Sequence, residues 1–223
     1  MAEGFRLRVC FRKAGRLRHL SHLETMRACE RAARRAGLPY AVSQGFTPRM
    51  KMAFGPALPV GTAGEREYYD LMLASFVPPD EACRSLEGVS AVEIAPHLCG
   101  YVPVKERSLG AALTIAAYDV TVEGGIPHEE IGRALARIVE TGTLGIDHKG
   151  KHKVFDLTEA LPKEPDVTTQ DGQPVARIWV RMGERGSIRP EALIDAALGA
   201  HARTIVTRTD LFIEDKGVWR RPL

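Results

Sequence analysis

The 223-residue chain lacks the features that identify several classes of protein. It has four cysteines (Cys10, Cys29, Cys83 and Cys99), and no two have the C-x-x-C spacing of zinc ribbons and iron–sulfur sites. It has no apolar run long enough to span a bilayer, and its N-terminus has neither the apolar stretch nor the cleavage site of a signal peptide. We therefore predict a cytoplasmic protein without membrane contact, with free thiols, no metal site and no cofactor held by this chain.

The sequence also lacks the short motifs of common enzyme classes. We find no G-x-G-x-x-G, P-loop, G-x-S-x-G or H-E-x-x-H pattern. The cysteine triad of radical SAM enzymes is absent too. Any radical chemistry would therefore belong to a partner.

What the chain does have is a very uneven distribution of charge. Residues 1–55 contain twelve lysines and arginines against three acidic residues, for a net charge of +9, whereas the remainder carries −6. This asymmetry favours a basic face directed toward a polyanion. Because aromatic residues make up only 6% of the chain, we expect structured RNA, recognised by its shape and phosphates, rather than stacked single strands.

Two adjoining N-terminal segments carry most of this positive charge. Residues 5–12 alternate apolar and basic side chains, which predicts a half-buried strand with an outer face made mostly of arginine. Residues 21–37 predict a helix, because Ser21 and Glu24 have the spacing of a capping box and Gly37 suits its end. We expect the strand and the arginine side of the helix to form one nucleic-acid-binding surface. A solvated face and an acidic protein partner are the alternatives.

The start of this helix carries residues that are typical of metal or acid–base sites. Two ligands on a helix are expected three or four residues apart, whereas His22 and Cys29 are seven apart. Glu24 is explained by the capping box, and His19 precedes the helix. We therefore interpret His19 and His22 as packing residues or contacts with a nucleic-acid backbone, rather than as metal ligands.

Two further segments have side chains that suit RNA. Residues 43–49 (SQGFTPR) contain hydrogen-bonding groups, a glycine and Phe46, whose ring either contacts RNA or fills the core. Residues 147–153 predict a basic hairpin tip, which either enters a nucleic-acid groove or serves solubility. The predicted nucleic-acid-binding residues are Arg6, Arg8, Arg12, Lys13, Arg16, Arg18, His19, His22, Arg27, Arg31, Arg34, Arg35, Gln44, Phe46, Arg49, Lys51, Lys149 and Lys151.

The order of the predicted elements indicates an α+β protein built from two similar halves packed side by side. The first half follows the β–α–β–β–α–β order of a ferredoxin-like unit, and the second half repeats that order in pattern. The predicted organisation is a basic half at 1–100, a linker at 101–110 and an acidic half at 111–223. Strands are predicted at 5–12, 67–76, 90–96, 111–122, 175–181 and 205–213, helices at 21–37, 78–88, 127–140 and 189–198, and a hairpin around 148–152.

Several strings of residues resemble the bacterial DUF2344 family. They are SHLET, RAARRAGLP and SQGF in the first half, and KVFDLTEAL and GSIRPEAL in the second, so the resemblance covers most of the chain. The chain departs from the family pattern at Glu24, where an aspartate is usual, and at Arg49, where a histidine is common. The first departure keeps a carboxylate that can cap a helix. The second removes a histidine that a metal or general-base site would need.

The resemblance implies a partner and a fold. Proteins of this family are radical-SAM-associated, being encoded beside, or fused to, a radical SAM enzyme. Their paired halves are similar in outline to the catalytic domain of TruA-type pseudouridine synthases, which use an aspartate nucleophile held by an arginine. The weak catalytic candidates of this kind are Asp70, Asp156 and Asp210. The last belongs to Arg208-Thr209-Asp210, which we interpret as a strand edge.

Three functions remain open on these grounds. The first is an RNA-binding accessory protein without catalysis of its own, which presents a tRNA, a ribosomal RNA or a ribosome-associated RNA to a radical SAM enzyme. The second is an RNA-modifying enzyme on a pseudouridine-synthase-like scaffold, in which one of the three aspartates lines a basic cleft. The third is a non-catalytic protein–protein adaptor whose basic face meets an acidic partner.

Overall fold

The structure, a computed structural model, describes residues 4–148, 151–183, 186–199 and 202–223. The strands are β1 Phe5–Lys13, β2 Met52–Phe54, β3 Ala63–Leu73, β4 Pro96–Tyr101, β5 Ile115–Val122, β6 Thr143–His148, β7 Lys151–Asp156, β8 Asp166–Gln170, β9 Gln173–Arg181, β10 Thr204–Asp215 and β11 Val218–Arg220. The helices are α1 His22–Arg35, α2 Pro79–Glu87, α3 Leu109–Ala112, α4 His128–Glu140, α5 Leu157–Ala160 and α6 Pro190–Leu198. Within these described ranges, no helix is long and apolar enough to cross a membrane.

The chain forms two units, and the first is made from two separate segments. Unit 1 comprises Met1–Leu113 and Asp215–Leu223, and unit 2 comprises Thr114–Glu214. This division differs from the predicted 1–100, 101–110 and 111–223. Residues 104–107 and Pro222, on either side of unit 2 in the sequence, supply hydrogen-bond acceptors to the arginines of β1, as described below.

Unit 1 has the strand order of a ferredoxin-like fold. Its strands lie in the order β4-β1-β3-β2, and all neighbouring pairs are antiparallel. With α1 and α2 the chain order is β–α–β–β–α–β, as predicted. The predicted strand at 90–96 is wrong in position, because Val92–Ile94 form a 3-10 turn and the strand starts at Pro96.

The core of unit 1 lies on one face of this sheet. Leu7, Val9 and Phe11 of β1 belong to one buried cluster with Cys29 and Ala33 of α1. The small side chains on α1 allow close approach of the helix to the strands. Because successive side chains of a strand point to opposite faces, the arginines of β1 point away from α1.

Helix α1 begins and ends for local reasons, which confirms its prediction. The Ser21 hydroxyl accepts a hydrogen bond from the Glu24 amide, and the Glu24 carboxylate accepts one from the Ser21 amide at 2.8 Å. Hydrogen bonds from Ser21 lower the pKa of Glu24. Gly37 follows the helix with φ of +67°, a left-handed conformation that glycine adopts without a steric penalty.

Unit 2 repeats the arrangement with an added hairpin. Its sheet has the order β10-β5-β9-β8, again antiparallel throughout, while β6 and β7 form a separate two-stranded sheet. Helices α4 and α6 connect the strands as α1 and α2 do in unit 1. Strand β8 was not expected, because its sequence DVTTQ is polar and mostly exposed and lacks an apolar alternation.

Candidate nucleic-acid interface

Two arginines and an aspartate form a buried ion-pair cluster on the face of the unit 1 sheet opposite α1. Arg8 of β1 stands directly across from Asp70 of β3 in the strand register. The Asp70 carboxylate accepts hydrogen bonds from Nε and Nη2 of Arg8 at 2.8 and 3.1 Å, and from the same atoms of Arg6 at 2.9 and 2.6 Å. Arg6, Arg8 and Asp70 are only 8%, 0% and 4% exposed. Their charges therefore compensate one another inside the protein.

Backbone carbonyls from two distant segments complete this cluster. Arg6 Nη1 donates to the Glu106 carbonyl at 2.6 Å, and Arg6 Nη2 donates to the Arg107 carbonyl at 3.2 Å. Arg8 Nη1 donates to the carbonyl of Pro222, also at 3.2 Å. The predicted outer face of exposed strand arginines is therefore wrong for Arg6 and Arg8, since these segments cover them.

Lys13 is a further basic residue that the structure places inside the protein. It is 2% exposed, and its ammonium group donates a hydrogen bond to the Leu20 carbonyl at 2.7 Å. This bond ties the end of β1 to the turn that precedes α1. Its expected position on an outer basic face is therefore wrong as well.

The arginines of α1 are exposed, as predicted. Arg27, Arg31, Arg34 and Arg35 all project into solvent from the side of the helix away from Cys29 and Ala33. Of these, Arg34 lies 3.9 Å from Glu30, a weak and largely exposed ion pair. The other three make no ion pair with any described residue. The helix therefore presents a row of exposed positive charge that is only weakly compensated by the acidic residues of the helix.

The predicted continuous surface of strand and helix arginines is not present. Helix α1 covers the face of β1 that carries Leu7 and Val9, whereas Arg6 and Arg8 point to the other face. The arginines of β1 and those of α1 are close in sequence and have the same charge, but the sheet lies between them. The accessible basic residues nearest in sequence to α1 are those of the preceding turn.

That turn, the 3-10 segment Gly15–His19, is well exposed. Arg16 and His19 are exposed and Arg18 is half-buried, with Arg18 Nε 3.3 Å from the His19 ring nitrogen. Arg12, just before it, is exposed as well. His22 is half-buried and packs edge-on against the ring of Phe54 at 5.9 Å, in agreement with the packing interpretation.

The segment at 43–49 forms a closed loop that projects from unit 1. Its base is joined by the Ser43 amide donating to the Arg49 carbonyl at 2.8 Å and the Arg49 amide donating to the Ser43 hydroxyl at 3.0 Å. Gln44, Phe46 and Arg49 are exposed, as is Lys51 beyond the loop. The alternative in which Phe46 fills the core is wrong, because its relative exposure is 111%.

The hairpin β6–β7 of unit 2 forms where it was predicted. Lys149 lies outside the described residues, and Lys151 is described only as a backbone position of β7. At the described part of the tip, the His152 ring nitrogen lies 2.8 Å from the Asp147 carboxylate. No group of described histidines, cysteines, aspartates and glutamates has a geometry that could hold a metal ion.

The three candidate catalytic aspartates have different environments. Asp70 is saturated by Arg6 and Arg8, which suits a structural role better than nucleophilic attack. Asp156 is exposed and caps α5, and hydrogen bonds from Thr158 lower its pKa. Asp210 is buried within β10, where a β-bulge after Arg208 interrupts the register with β5. The interpretation of this last segment as a strand edge is wrong, because both charged side chains are buried in the strand.

Sequence reasoning missed the residues that cover the arginines of β1. They are backbone groups of residues 104–107 and of Pro222, which have no side-chain signature. One signal was available, because Asp70 lies in the apolar run EYYDLML. A carboxylate in a buried strand needs a cationic partner, and the alternating arginines of a neighbouring strand are well placed to provide it.

Comparisons with known proteins show which fold and which sequence family this chain is similar to. A chain of "Crystal Structure of a Cbf5-Nop10-Gar1 Complex" matches with a TM-score of 0.50 and 13% identity, over 94% of this chain and 50% of that one. This chain thus spans about half the length of its match. The likeness confirms the predicted α+β fold class, similar in outline to pseudouridine synthases. No curated protein matches the chain. The profile of the family described as "Uncharacterized protein conserved in bacteria (DUF2344)" matches residues 6–190, most of the sequence, and the chain therefore belongs to the DUF2344 family.

Proposed function

We propose that this protein is an RNA-binding accessory protein of a radical SAM enzyme, and that α1 is its main RNA-binding element. The observation that carries this proposal is the row of exposed arginines on α1. From Arg27 to Arg35 the row extends about 12 Å along the helix axis. Guanidinium groups bind phosphates through paired hydrogen bonds, so such a row suits the backbone of a structured RNA.

The surroundings of α1 strengthen the case for a polyanion. No acidic residue occurs between Glu30 and Glu65 in the sequence, while this stretch contains Arg31, Arg49 and Lys51 among its basic residues. Repulsion between like charges on one helix side destabilises a protein slightly, so a binding partner accounts for the pattern better than solubility does. Arg6, Arg8 and Lys13 are not part of the proposed surface, because they are buried.

The fold and the family support the proposal in different ways. The likeness to a chain of the Cbf5-Nop10-Gar1 complex shows that a related arrangement of strands and helices is used in a pseudouridine synthase complex. We infer the radical SAM partner from the resemblance of the chain to radical-SAM-associated members of DUF2344. Since this chain has no cysteine triad, the radical chemistry would be performed by that partner.

Charge reversal on α1 tests RNA binding. We expect R27E/R31E to weaken binding of a structured RNA about tenfold or more, because two charge-assisted phosphate contacts are lost. The slope of log Kd against log salt concentration should fall by about 2. Fluorescence anisotropy with a labelled RNA hairpin measures both quantities.

The chain offers a matched control on α4. Arg133 and Arg137 are also exposed and also separated by four residues on a helix, so R133E/R137E changes the net charge equally. We expect this variant to bind RNA with an affinity close to that of the wild type. Equal losses of RNA affinity for both variants would show that binding depends only on the overall charge. Unchanged affinity of both variants would refute RNA binding by α1.

Co-purification tests the partner. Tagged protein, isolated at low salt from cells that contain the associated radical SAM enzyme, should recover that enzyme and RNA together. Nuclease treatment should reduce recovery of the enzyme if RNA holds the complex together. Full recovery after nuclease treatment, also for R27E/R31E, would instead support a protein–protein adaptor.

A further inference from the structure

The loop at 43–49 exposes an aromatic ring that contributes nothing to folding. At a relative exposure of 111%, Phe46 makes essentially no contact with the remainder of the protein. The other exposed phenylalanines differ, because Phe5 and Phe76 pack against each other and against Tyr101 with centroid separations of 5.2–6.0 Å. Among the phenylalanines that the structure describes, Phe46 has by far the greatest exposure. A single exposed apolar side chain is ordinary on a protein surface, so the case for binding depends on the loop that holds this ring and on its basic neighbours.

The backbone of the loop holds this ring in a defined place. The two hydrogen bonds between Ser43 and Arg49 close its base, and Val42 pairs with Met50 immediately below. Gly45, directly before Phe46, has φ of +133°, a value that other residues rarely adopt. The exposed Phe46 therefore follows directly on a backbone conformation that favours glycine.

The neighbours of Phe46 select the kind of partner. The loop contains Gln44 and Arg49, exposed polar and cationic groups, and Lys51 follows it. Residues 43–49 include no acidic residue, and Phe46 is the one large apolar side chain among them. A protein that docks through apolar contacts would require a contiguous apolar patch, which one ring does not provide. A flat ring flanked by cations instead suits a nucleobase attached to phosphates.

We infer that Phe46 stacks on an unpaired base of the RNA whose phosphates α1 binds, an inference that rests on the proposed function. The substrate class is then an RNA with a duplex next to a loop, a bulge or a single strand. Arg49 and Lys51 contact the phosphates flanking the stacked base. The stacked base adds one contact to the recognition by shape and phosphates that the low aromatic content favours.

Substitutions at Phe46 test the stacking. Replacement by leucine keeps apolar bulk but removes the aromatic face, whereas replacement by tryptophan keeps a stacking surface. We expect F46A and F46L to weaken binding of an RNA hairpin about 5- to 150-fold, which corresponds to about 1–3 kcal/mol for one stacked base. We expect F46W to bind the hairpin with the affinity of the wild type. A blunt duplex with the same stem should bind all four proteins equally. Because Phe46 contacts nothing, all variants should remain folded.

A fluorescent base provides a direct readout. With 2-aminopurine in the hairpin loop, binding of the wild type and F46W should change its fluorescence, whereas saturating F46L should not. Equal binding of hairpin and duplex, with F46L unaltered, would overturn the stacking inference and leave RNA binding by α1 intact. Failure of both RNAs to bind would remove the proposed function itself. If F46A no longer co-purified with a protein partner that resists nuclease treatment, while its RNA affinity stayed unchanged, the loop would bind a protein. That result would also overturn the inference.

Discussion

Replacing Asp70 by alanine should destabilise unit 1 severely. The substitution removes the carboxylate that accepts four charge-assisted hydrogen bonds, at 2.6–3.1 Å, from Arg6 and Arg8. Two guanidinium groups would then remain buried with only carbonyls and the partly buried Glu106 nearby. Removing one member of a buried ion pair costs about 3–5 kcal/mol, a large part of the roughly 5–15 kcal/mol that holds a typical protein folded.

Urea unfolding measures this loss, and an exposed ion pair provides the control. Asp119 accepts hydrogen bonds from Arg177 at 2.7 and 2.6 Å, so its geometry is as good, but the two side chains are 45% (Arg177) and 17% (Asp119) exposed, against 9% or less for Arg6, Arg8 and Asp70. We expect D119A to cost only about 0.2–1 kcal/mol. Each unit contains one tryptophan, so W179F leaves Trp219 to report on unit 1 for D70A, and W219F leaves Trp179 to report on unit 2 for D119A.

The result for Asp70 also bears on catalysis. If D70A unfolded with the same midpoint as its W179F parent, the buried cluster would not stabilise the protein as described. Asp70 would then be available again as a candidate nucleophile. A loss of several kcal/mol, with no comparable loss for D119A, would establish a structural role. D70N, which keeps the shape but loses the charge, should lie between D70A and the parent.

Three other expectations concern local stability and thiol chemistry. Replacing Ser21 by alanine should cost about 1 kcal/mol in urea unfolding, the usual value for a lost helix cap; an unchanged midpoint would contradict the capping box. Hydrogen bonding with Ser21 lowers the pKa of Glu24, so the ionised Glu24 should stabilise the protein above its ordinary pKa of 4.5. This stabilisation should be lost as the pH falls through the lowered pKa. Urea unfolding at pH 3 to 7, with E24Q as control, measures the change. Burial raises the pKa of Cys29 to about 12, so in native protein at pH 8 a thiol reagent should modify the half-buried Cys83 first. Mass spectrometry identifies the modified cysteine, and rapid modification of Cys29 would contradict its core position.

Elements with local signals could be predicted from the sequence. The start of α1 follows from Ser21 and Glu24, three residues apart, and its end from Gly37. The exposure of Arg27 and Arg31 follows from helical periodicity alone. These features depend on residues close together in the chain, and for that reason the pattern was sufficient.

The environment of β1 could not be predicted in the same way. The period of two correctly separates Arg6 and Arg8 from Leu7, but it cannot tell whether the second face is covered. The covering groups are carbonyls of residues 104–107 and of Pro222, far away in the sequence. The exposure of Phe46 was undecided for a similar reason, because the pattern cannot show whether a loop folds back on the core or projects from it.

The hydrogen bond from Arg8 to the Pro222 carbonyl has a consequence for biosynthesis. Its two partners are 214 residues apart, and all of unit 2 lies between them in the chain. At the usual translation rate, roughly 10–40 s pass between the synthesis of Arg8 and that of Pro222. Once residue 113 has been synthesised, unit 1 has β1 to β4 and α1 to α3 but still lacks its final segment, which includes β11. A nascent chain therefore carries a partly uncovered Arg8 until residues 215–223 have left the ribosome, and unit 2 has time to fold before this segment joins unit 1.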